Sequence, residues 1–329
     1  MFQVRIVEDL DECRDIWRRI YPQENISDLW EIRDCFHKNF RRPLHFIVAE
    51  NSAGSCGLLP LTWVEERQCY GYFPGETWQG KTWLEQNRIF ADDSEVYRAL
   101  LEHCPSQYHL RYLLPIDHIA ESSHTVDEIG YLFLPPKYSY DMENYFQEFS
   151  HKSAKRIKKD VAALENLGIQ YRCDDLSDFD ILMNLNLQRF DSSSYFFDDR
   201  FRNSFNDLMH FLHEQGWLRI TTVLIEGSAA AVDMGCVHNG TYTLLAGGTN
   251  GAYPGVAKLI NLHHMQRACN ERLDKVDFLC GDFSWKSLFH LMPRPLYVLS
   301  NVAVQAAHQE DRATDSAVDS VDFRRAANA

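Results

Sequence analysis

The sequence predicts a mixed α/β protein of two domains. Segments with the 3.6-residue period of amphipathic helices alternate with short, β-branched or aromatic runs that are typical of strands. The 329 residues are more than one core usually organises, and two domains of roughly 150 residues fit that length. The tandem prolines Pro135 and Pro136 can continue neither a helix nor an inner strand. We therefore predict a domain boundary at that point.

Composition restricts the function before any motif is considered. The chain is 45% hydrophobic and 24% charged, which is typical of a folded globular protein. Its net charge of −14 disfavours DNA binding and attraction to anionic lipid. Residues 1–20 hold no apolar signal segment, and no apolar run approaches the roughly 20 residues of a membrane span. For these reasons we expect a cytoplasmic protein. Its nine cysteines show no CxxC spacing, so we expect reduced thiols and no metal site.

The first half begins with two predicted helices. Apolar residues at helical spacing run from Leu10 to Ile20, and a second helix starts at Ser27 as its cap. The elements predicted after them are an antiparallel meander of strands at 45–51, 55–66 and 68–73, a helix from the capping box of Asp92 and Glu95 to Pro105, and a strand at 109–116.

The second half has a more specific order. Two amphipathic pieces fall between Met142 and Gly168. The elements predicted after them are a strand at 169–173, helices at 179–190 and 205–212, strands at 217–225, 229–237 and 241–246, a helix at 256–273, a strand at 276–280, a short helix, and a strand at 296–302. Residues 306–329 are rich in Ala, Asp and Ser, which predicts a disordered tail.

Four segments of the second half carry a resemblance to a known family: 153–159 (SAKRIKK), 215–219 (QGWLR), the glycine-bearing 248–255, and 277–286 (DFLCGDFSWK). With the order of elements, they resemble the GNAT acyltransferase fold in its FemAB-related branch, which includes CelD-like acetyltransferases of cellulose biosynthesis. The resemblance implies two tandem GNAT-like domains: a degenerate copy at 1–137 on the acceptor side, and an acyltransferase domain with the donor site at 138–305. It implies an enzyme that moves an acyl group from acyl-CoA to an amine by direct attack.

The resemblance places the donor at the loop before the last long helix. GNAT proteins receive the donor pyrophosphate on a Gln/Arg-x-x-Gly-x-Gly/Ala loop, where backbone N–H groups and the helix dipole meet the anion. Gly255 and Ala257 match this pattern, whereas Ala252 stands where the family has Gln or Arg. A tight strand-to-helix turn explains the same glycine. The residues expected to contact acetyl-CoA or another acyl-CoA are Gly255, Val256, Ala257 and Lys258.

Four residues are candidates for the chemistry. An attacking amine must lose a proton, and Asp233, central in an otherwise apolar strand, is our first candidate base. A hydrogen-bonded structural aspartate is the alternative. By resemblance, Lys286 binds a phosphate or carboxylate of a ligand or supports the oxyanion, and Asp282 orients it, with an i,i+4 ion pair as the alternative. Tyr253 either protonates the leaving group or packs.

The acceptor is expected to be a small-molecule, sugar or peptide amine. Trp78 and Trp83 lie in a glycine- and aromatic-rich segment that suits sugar or peptide recognition, and core packing explains them equally well. Arg189, Asp191 and Tyr195 fall between two predicted helices, where this fold lines its acceptor groove. A polar surface loop is the alternative.

Two other functions stay open. Five Lys and Arg residues at 152–159 suit a FemAB-type enzyme that uses aminoacyl-tRNA, or else form the solvated face of a helix. Ala252 suits a non-catalytic binding module in polysaccharide or envelope assembly. The adjacent His263 and His264 point to different sides of a helix, so we expect surface or packing roles for both.

Overall fold

The computed structural model describes residues 2–105, 107–115, 125–281 and 284–302. The predicted tail at 306–329 and the catalytic candidate Asp282 lie outside these residues. Helices alternate with two sheets over the described chain, which confirms the mixed α/β class.

The chain divides into two compact units. Unit 1 combines Met1–Ile129 with Asp198–Phe211 and Pro295–Ala307, and unit 2 includes Gly130–Phe197 and Leu212–Arg294. The domains 1–137 and 138–305 stay predictions, because a division into compact units does not test which segments fold independently.

Unit 1 is built on an antiparallel sheet of five strands. Its elements before residue 125 are β1 (Gln3–Val7), α1 (Leu10–Ile20), α2 (Trp30–Phe40), β2 (Leu44–Asn51), β3 (Gly54–Val64), β4 (Cys69–Tyr72), β5 (Phe90–Ala91), α3 (Ser94–Glu102) and β6 (His109–Leu113). The order is β1-β2-β3-β4, with β5 paired to β3. The predicted meander of β2, β3 and β4 is confirmed.

Three details of unit 1 differ from the prediction. The edge strand β1 was missed, because only its last residue is buried and no alternation marks it. Ser27 lies in a 3₁₀ turn, and α2 begins three residues later, at Trp30. Asp93 caps α3 in place of Asp92, accepting from the backbone N–H groups of Glu95 and Val96 at 2.8 Å each.

The elements from residue 125 onward are β7 (Thr125–Phe133), α4 (Met142–Phe146), α5 (His151–Glu165), β8 (Gln170–Cys173), α6 (Asp178–Phe190), α7 (Asp199–Glu214), β9 (Leu218–Ile225), β10 (Ser228–His238), β11 (Thr241–Thr249), α8 (Val256–Asn270), β12 (Lys275–Asp277), α9 (Ser284–Leu288) and β13 (Met292–Ser300). In unit 2, the strands lie in the order β7-β12-β11-β10-β9-β8. From β8 to β13, the predicted order is confirmed, while β7 was missed because its first two residues are exposed and the next three are only half-buried.

Most of α7 packs in unit 1 through aromatic side chains. Phe201 and Phe205 are fully buried, and both meet the ring of Phe36 on α2 edge-on. Asn39 of α2 also donates to Asp207 of α7 at 3.0 Å. Unit 1 is therefore assembled from segments far apart in sequence.

Two properties of the described chain bear on its chemistry. None of its helices is long and apolar enough to cross a membrane. None of the nine cysteines, all of which are described, forms a disulfide.

Candidate functional site

Strand β11 of unit 2 has an open edge. Its residues 241–243 pair in parallel with Lys275–Asp277, where β12 ends. Beyond this point β11 continues to Thr249 and, among the described strands, pairs only with β10. An inner strand with one unpaired edge offers backbone N–H and C=O groups to an extended ligand.

The open edge leads directly into the start of α8. The connecting loop turns on Asn250, whose side chain accepts from the N–H of Ala252 at 2.9 Å. Gly255 is the N-cap with a φ of 88°, a left-handed conformation that favours glycine, and it provides no side-chain cap. Val256 is buried and Ala257 half-buried. The positive end of the α8 dipole therefore lies at this loop.

Lys258, the predicted donor contact, is tied to α5. Its ammonium donates to Asp160 at 2.7 Å, and its side chain is 8% exposed. Leu164 of α5 lies 3.7 Å from where a Cβ on Gly255 would stand. Helix α5 therefore packs at the start of α8, and its carboxylate offsets the charge of Lys258.

A buried carboxylate, imidazole and phenol meet behind the open edge. Oδ2 of Asp233 on β10 lies 2.9 Å from Nε2 of His264 on α8, within hydrogen-bond distance. The hydroxyl of Tyr242 lies 3.4 Å from the same nitrogen. All three residues are at most 5% exposed. Burial raises the pKa of Tyr242 well above its usual value, so the phenol keeps its proton.

Gly247 connects this cluster to the open edge. It faces Asp233 across the β10–β11 pair, and a Cβ at this position would come within 2.4 Å of Oδ1 of Asp233. Because Gly247 has no side chain, the carboxylate lies directly against the unpaired stretch of β11. The structure thus brings together the candidate base and the strand that leads to the candidate donor loop.

Sequence reasoning missed His264, to which it assigned only a surface or packing role. Part of the signal was present, because Lys258, Asn261 and His264 recur at three-residue intervals along α8, and the structure buries all three in a helix that is buried on nearly all sides. A buried polar side chain needs a hydrogen-bond partner, so this row indicates contacts with the sheet and with α5.

Helix α6 brings polar groups to the end of β11. Asn186 donates to the carbonyl of Gly247 at 2.7 Å and accepts from the hydroxyl of Ser194 at 2.7 Å. Arg189 donates to the hydroxyl of Thr249 at 3.0 Å. The structure therefore brings Arg189 to the open edge through contacts that the sequence analysis did not anticipate.

The other two predicted acceptor residues follow α6 in the chain. Asp191 is the exposed C-cap of α6, with a φ of 47°. Tyr195 is half-buried at the start of a 3₁₀ turn. Both belong to the segment that leaves the end of α6.

Lys286 acts on the turn that follows β12. It is 2% exposed, and its ammonium donates to three consecutive carbonyls, those of Phe278, Leu279 and Cys280, at 2.9, 3.1 and 2.7 Å. An ammonium has three N–H donors, so these bonds engage all of them. Asp277 holds the same turn: it accepts from Leu279 at 2.9 Å and pairs with Arg294. This part of the 277–286 motif shapes the backbone.

The remaining predicted residues lie in packed surroundings. Tyr253 is half-buried and packs on the apolar cluster of α8 and β10. In unit 1, Trp83 stacks on Phe36 at 5.3 Å and meets Phe205 edge-on at 4.8 Å. Trp78 is half-buried and exchanges backbone hydrogen bonds with Lys81. In the described residues, no group of three His, Cys, Asp or Glu side chains has an arrangement that holds a metal ion.

The part of the chain that contains this site resembles a known protein family. Residues 151–287 match the family model of the acetyltransferase (GNAT) domain. They include α5, β11, the loop and α8. No curated protein matches the chain in sequence.

Several solved structures share the fold. FemX superposes with a TM-score of 0.58 at 10% identity, over 94% of this chain and 100% of that chain. L-PGS from Bacillus licheniformis has a TM-score of 0.55 at 10% identity, over 94% and 97%. The C-terminal domain of a putative lysylphosphatidylglycerol synthetase from Agrobacterium fabrum has a TM-score of 0.52 at 10% identity, over 92% and 96%. Residues 151–287 thus match the acetyltransferase (GNAT) domain family, and the chain shares its fold with FemX.

Proposed function

We propose that the protein is an N-acyltransferase that binds acyl-CoA along β11 and at the start of α8. The observation that carries the proposal is the unpaired edge of β11 leading into an uncapped helix N-terminus. The pantetheine arm of coenzyme A is an extended chain with two amides, which suits a strand edge. Its pyrophosphate suits the positive end of a helix dipole.

The reaction that we propose is direct attack. The acceptor nitrogen attacks the thioester carbonyl, the C–N bond forms, the C–S bond breaks, and coenzyme A leaves as a thiolate. The amine loses one proton, and we assign its removal to Asp233, paired with His264, directly or through water. Tyr253 is the proposed proton donor to the thiolate. Lys286 is a positioning residue, because its donors hold the turn after β12.

The acceptor in this proposal is a small-molecule, sugar or peptide amine. Arg189 of α6 is the first proposed acceptor contact, because its hydrogen bond to Thr249 brings its side chain to the end of β11. Asp191 and Tyr195, which follow it in the chain, are the other two. Trp78 and Trp83 stay candidates for an apolar acceptor surface on unit 1. A cytoplasmic location is part of the same proposal.

One observation favours a second donor, aminoacyl-tRNA. Lys152, Lys155 and Lys159 are exposed on the first half of α5, while Lys158 pairs with Glu143 at 2.7 Å. Cations near a helix N-terminus oppose the helix dipole, so an external anion there stabilises them. Because α5 packs at the start of α8, a polyanionic donor can meet both helices.

We expect Ala257→Glu to weaken acetyl-CoA binding at least tenfold, because a carboxylate in the first turn of α8 repels pyrophosphate. Folding stability should not fall, since Glu is favourable at a helix N-terminus. Calorimetric titration with acetyl-CoA measures the effect, and Ala257→Gln, which adds similar bulk without the charge, is the matched control. Equal affinity of the two variants contradicts a donor site at α8.

The same titration separates the alternatives. Saturable binding of acetyl-CoA by the native chain supports the acyl-CoA donor. Binding of aminoacyl-tRNA alone, weakened when Lys152, Lys155 and Lys159 are replaced by Gln, supports the second donor. If neither donor binds, both enzymatic proposals fail and the non-catalytic binding module remains.

A further inference from the structure

The hydrogen-bond register of β11 determines which of its backbone groups face the open edge. The N–H of Asn250 donates to the carbonyl of Ala230 at 2.8 Å, one residue beyond the paired residues Ala231 and Thr249. In an antiparallel pair of strands, residues that bond to the neighbouring strand alternate with residues that face away from it. Gly247 and Thr249 therefore turn their N–H and C=O groups away from β10, toward the open edge.

Helix α6 lies directly against this end of β11. A Cβ on Gly248 would come within 2.6 Å of the carbonyl oxygen of Leu182 and within 2.9 Å of the Cβ of Leu185. Only glycine lets the backbones of the helix and the strand approach each other this closely. Because of this approach, the side chain of Asn186, one turn after Leu182, reaches the open edge.

Asn186 engages the carbonyl of Gly247. Its Nδ2 donates to that oxygen at 2.7 Å, and its Oδ1 accepts from the hydroxyl of Ser194 at 2.7 Å. A carbonyl oxygen can only accept a hydrogen bond, so this contact fixes which end of the side-chain amide is the nitrogen. An extended ligand that offers an N–H group at Gly247 therefore meets an acceptor that already has a donor.

Asn186 also places a new donor at the same point. A side-chain amide has two N–H groups, and within the described residues the second N–H of Asn186 has no hydrogen-bond partner. The side chain is half-buried beside the open edge. The backbone N–H of Gly247 faces the same edge. This part of the edge thus offers two N–H donors, which suit a ligand group that accepts hydrogen bonds.

We propose that Asn186 is a ligand-contacting residue of the donor site, whose second N–H donates to a carbonyl oxygen of the acyl donor. The inference rests on the proposed function, because it requires acyl-CoA to lie along β11. Two kinds of carbonyl in acyl-CoA fit an extended chain on this edge: those of the pantetheine amides and that of the thioester. Both present the same chemistry to Asn186, an oxygen that accepts a hydrogen bond.

The test is a calorimetric titration of the full chain with acetyl-CoA and with S-ethyl-coenzyme A, a thioether that keeps the pantetheine amides but has no thioester carbonyl. The variants compared are Ser194→Ala alone and Ser194→Ala combined with Asn186→Leu. Both lack the buried hydroxyl that bonds to Oδ1, so they differ only in the amide. The double variant should bind acetyl-CoA about tenfold more weakly than Ser194→Ala, which is roughly the contribution of one hydrogen bond.

The thioether identifies which carbonyl Asn186 contacts. Equal weakening of acetyl-CoA and S-ethyl-coenzyme A assigns the oxygen to a pantetheine amide, and weakening of acetyl-CoA alone assigns it to the thioester. Asn184→Leu, the same substitution at an exposed position of α6, is the matched control and should bind both compounds as the native chain does.

Two results contradict the inference in distinguishable ways. If the double variant and Ser194→Ala bind acetyl-CoA equally, Asn186 has only a structural role, and the proposed donor site is unaffected. If the native chain does not bind acetyl-CoA, the proposed donor and this inference both fail.

A measurement on the native chain covers the case in which the double variant does not fold. With isotope-labelled asparagine, the NMR signal of the second N–H proton of Asn186 should move downfield when acetyl-CoA binds, because a new hydrogen bond deshields that proton. The proton bonded to the Gly247 carbonyl should move less. An unchanged signal at saturating acetyl-CoA overturns the inference.

Discussion

Asp233→Asn is expected to lower the turnover of acyl transfer by about 10²- to 10⁴-fold, the range that a positioned general base contributes. Asparagine has the same size and keeps a side-chain oxygen that meets Nε2 of His264, so the buried contact at 2.9 Å persists. It cannot take a proton from an amine. The measurement is coenzyme A release from acetyl-CoA with an amine that the native chain uses, together with acetyl-CoA affinity, which should not change.

Two glycine variants test the role of Asp233 in a second way, one as a perturbation and one as its control. Gly247→Ala adds a Cβ within 2.4 Å of Oδ1 of Asp233, so it should displace the carboxylate and lower turnover as well. Gly251→Ala, four residues further along the chain, meets nothing within 4 Å, so it should leave turnover at saturating acetyl-CoA unchanged, and any effect of its place in the candidate donor loop should appear in acetyl-CoA affinity alone. Native turnover in Asp233→Asn, combined with a lower melting temperature, would mean that Asp233 and His264 form only a structural pair.

Glu76 is expected to make the native chain less stable as the pH rises. Burial raises its pKa to about 7 from the reference value of 4.5, so between these values the folded state holds a proton that the unfolded state has released. The free energy of unfolding therefore falls with rising pH across this window. The difference of roughly 2.5 units corresponds to an upper limit of about 3 kcal/mol, at roughly 1.4 kcal/mol per unit. The stabilisation is fully present below about pH 4.5 and lost above about pH 7.

Urea unfolding of the native chain and of Glu76→Gln between pH 4.5 and 8 measures this effect. The amide keeps an oxygen for the N–H groups of Trp83 and Leu84 and has no charge to bury. The difference between the two unfolding free energies should change by up to about 3 kcal/mol over the window, with the variant gaining relative stability at high pH. Glu102→Gln, on the exposed side of α3, should follow the native curve. Parallel curves for the native chain and Glu76→Gln contradict the elevated pKa.

The order of elements could be predicted because it depends on local patterns. Helix α1 repeats its apolar residues at the helical period, strands β9 and β10 are short, nearly continuous buried runs, and each lies where the sequence predicts it. Strands β1 and β7 were missed because most of their early residues are exposed or only half-buried, so no regular alternation identifies them. The cap of α3 moved by one residue because Asp92 and Asp93 are both good caps.

The candidate site was predictable only in part. Asp233 and the Gly255 loop could be identified as candidates because a charge in an apolar strand and a glycine before a helix are visible in the sequence itself. His264 was not, since its partner lies 31 residues away on another element. The three carbonyls that hold Lys286 are backbone atoms, and a side-chain pattern cannot reveal them.

The sequence by itself determined the α/β class, the element order of the second half and the position of the candidate donor loop, because periodicity, capping and glycine conformation act over a few residues. Only the tertiary structure decided that α7 packs in unit 1, that Asp233 and His264 pair against Gly247, and that Asn186 bonds to the carbonyl of the same glycine. These contacts join elements far apart in the chain. Burial sets their energetics, and burial is a property of the folded chain.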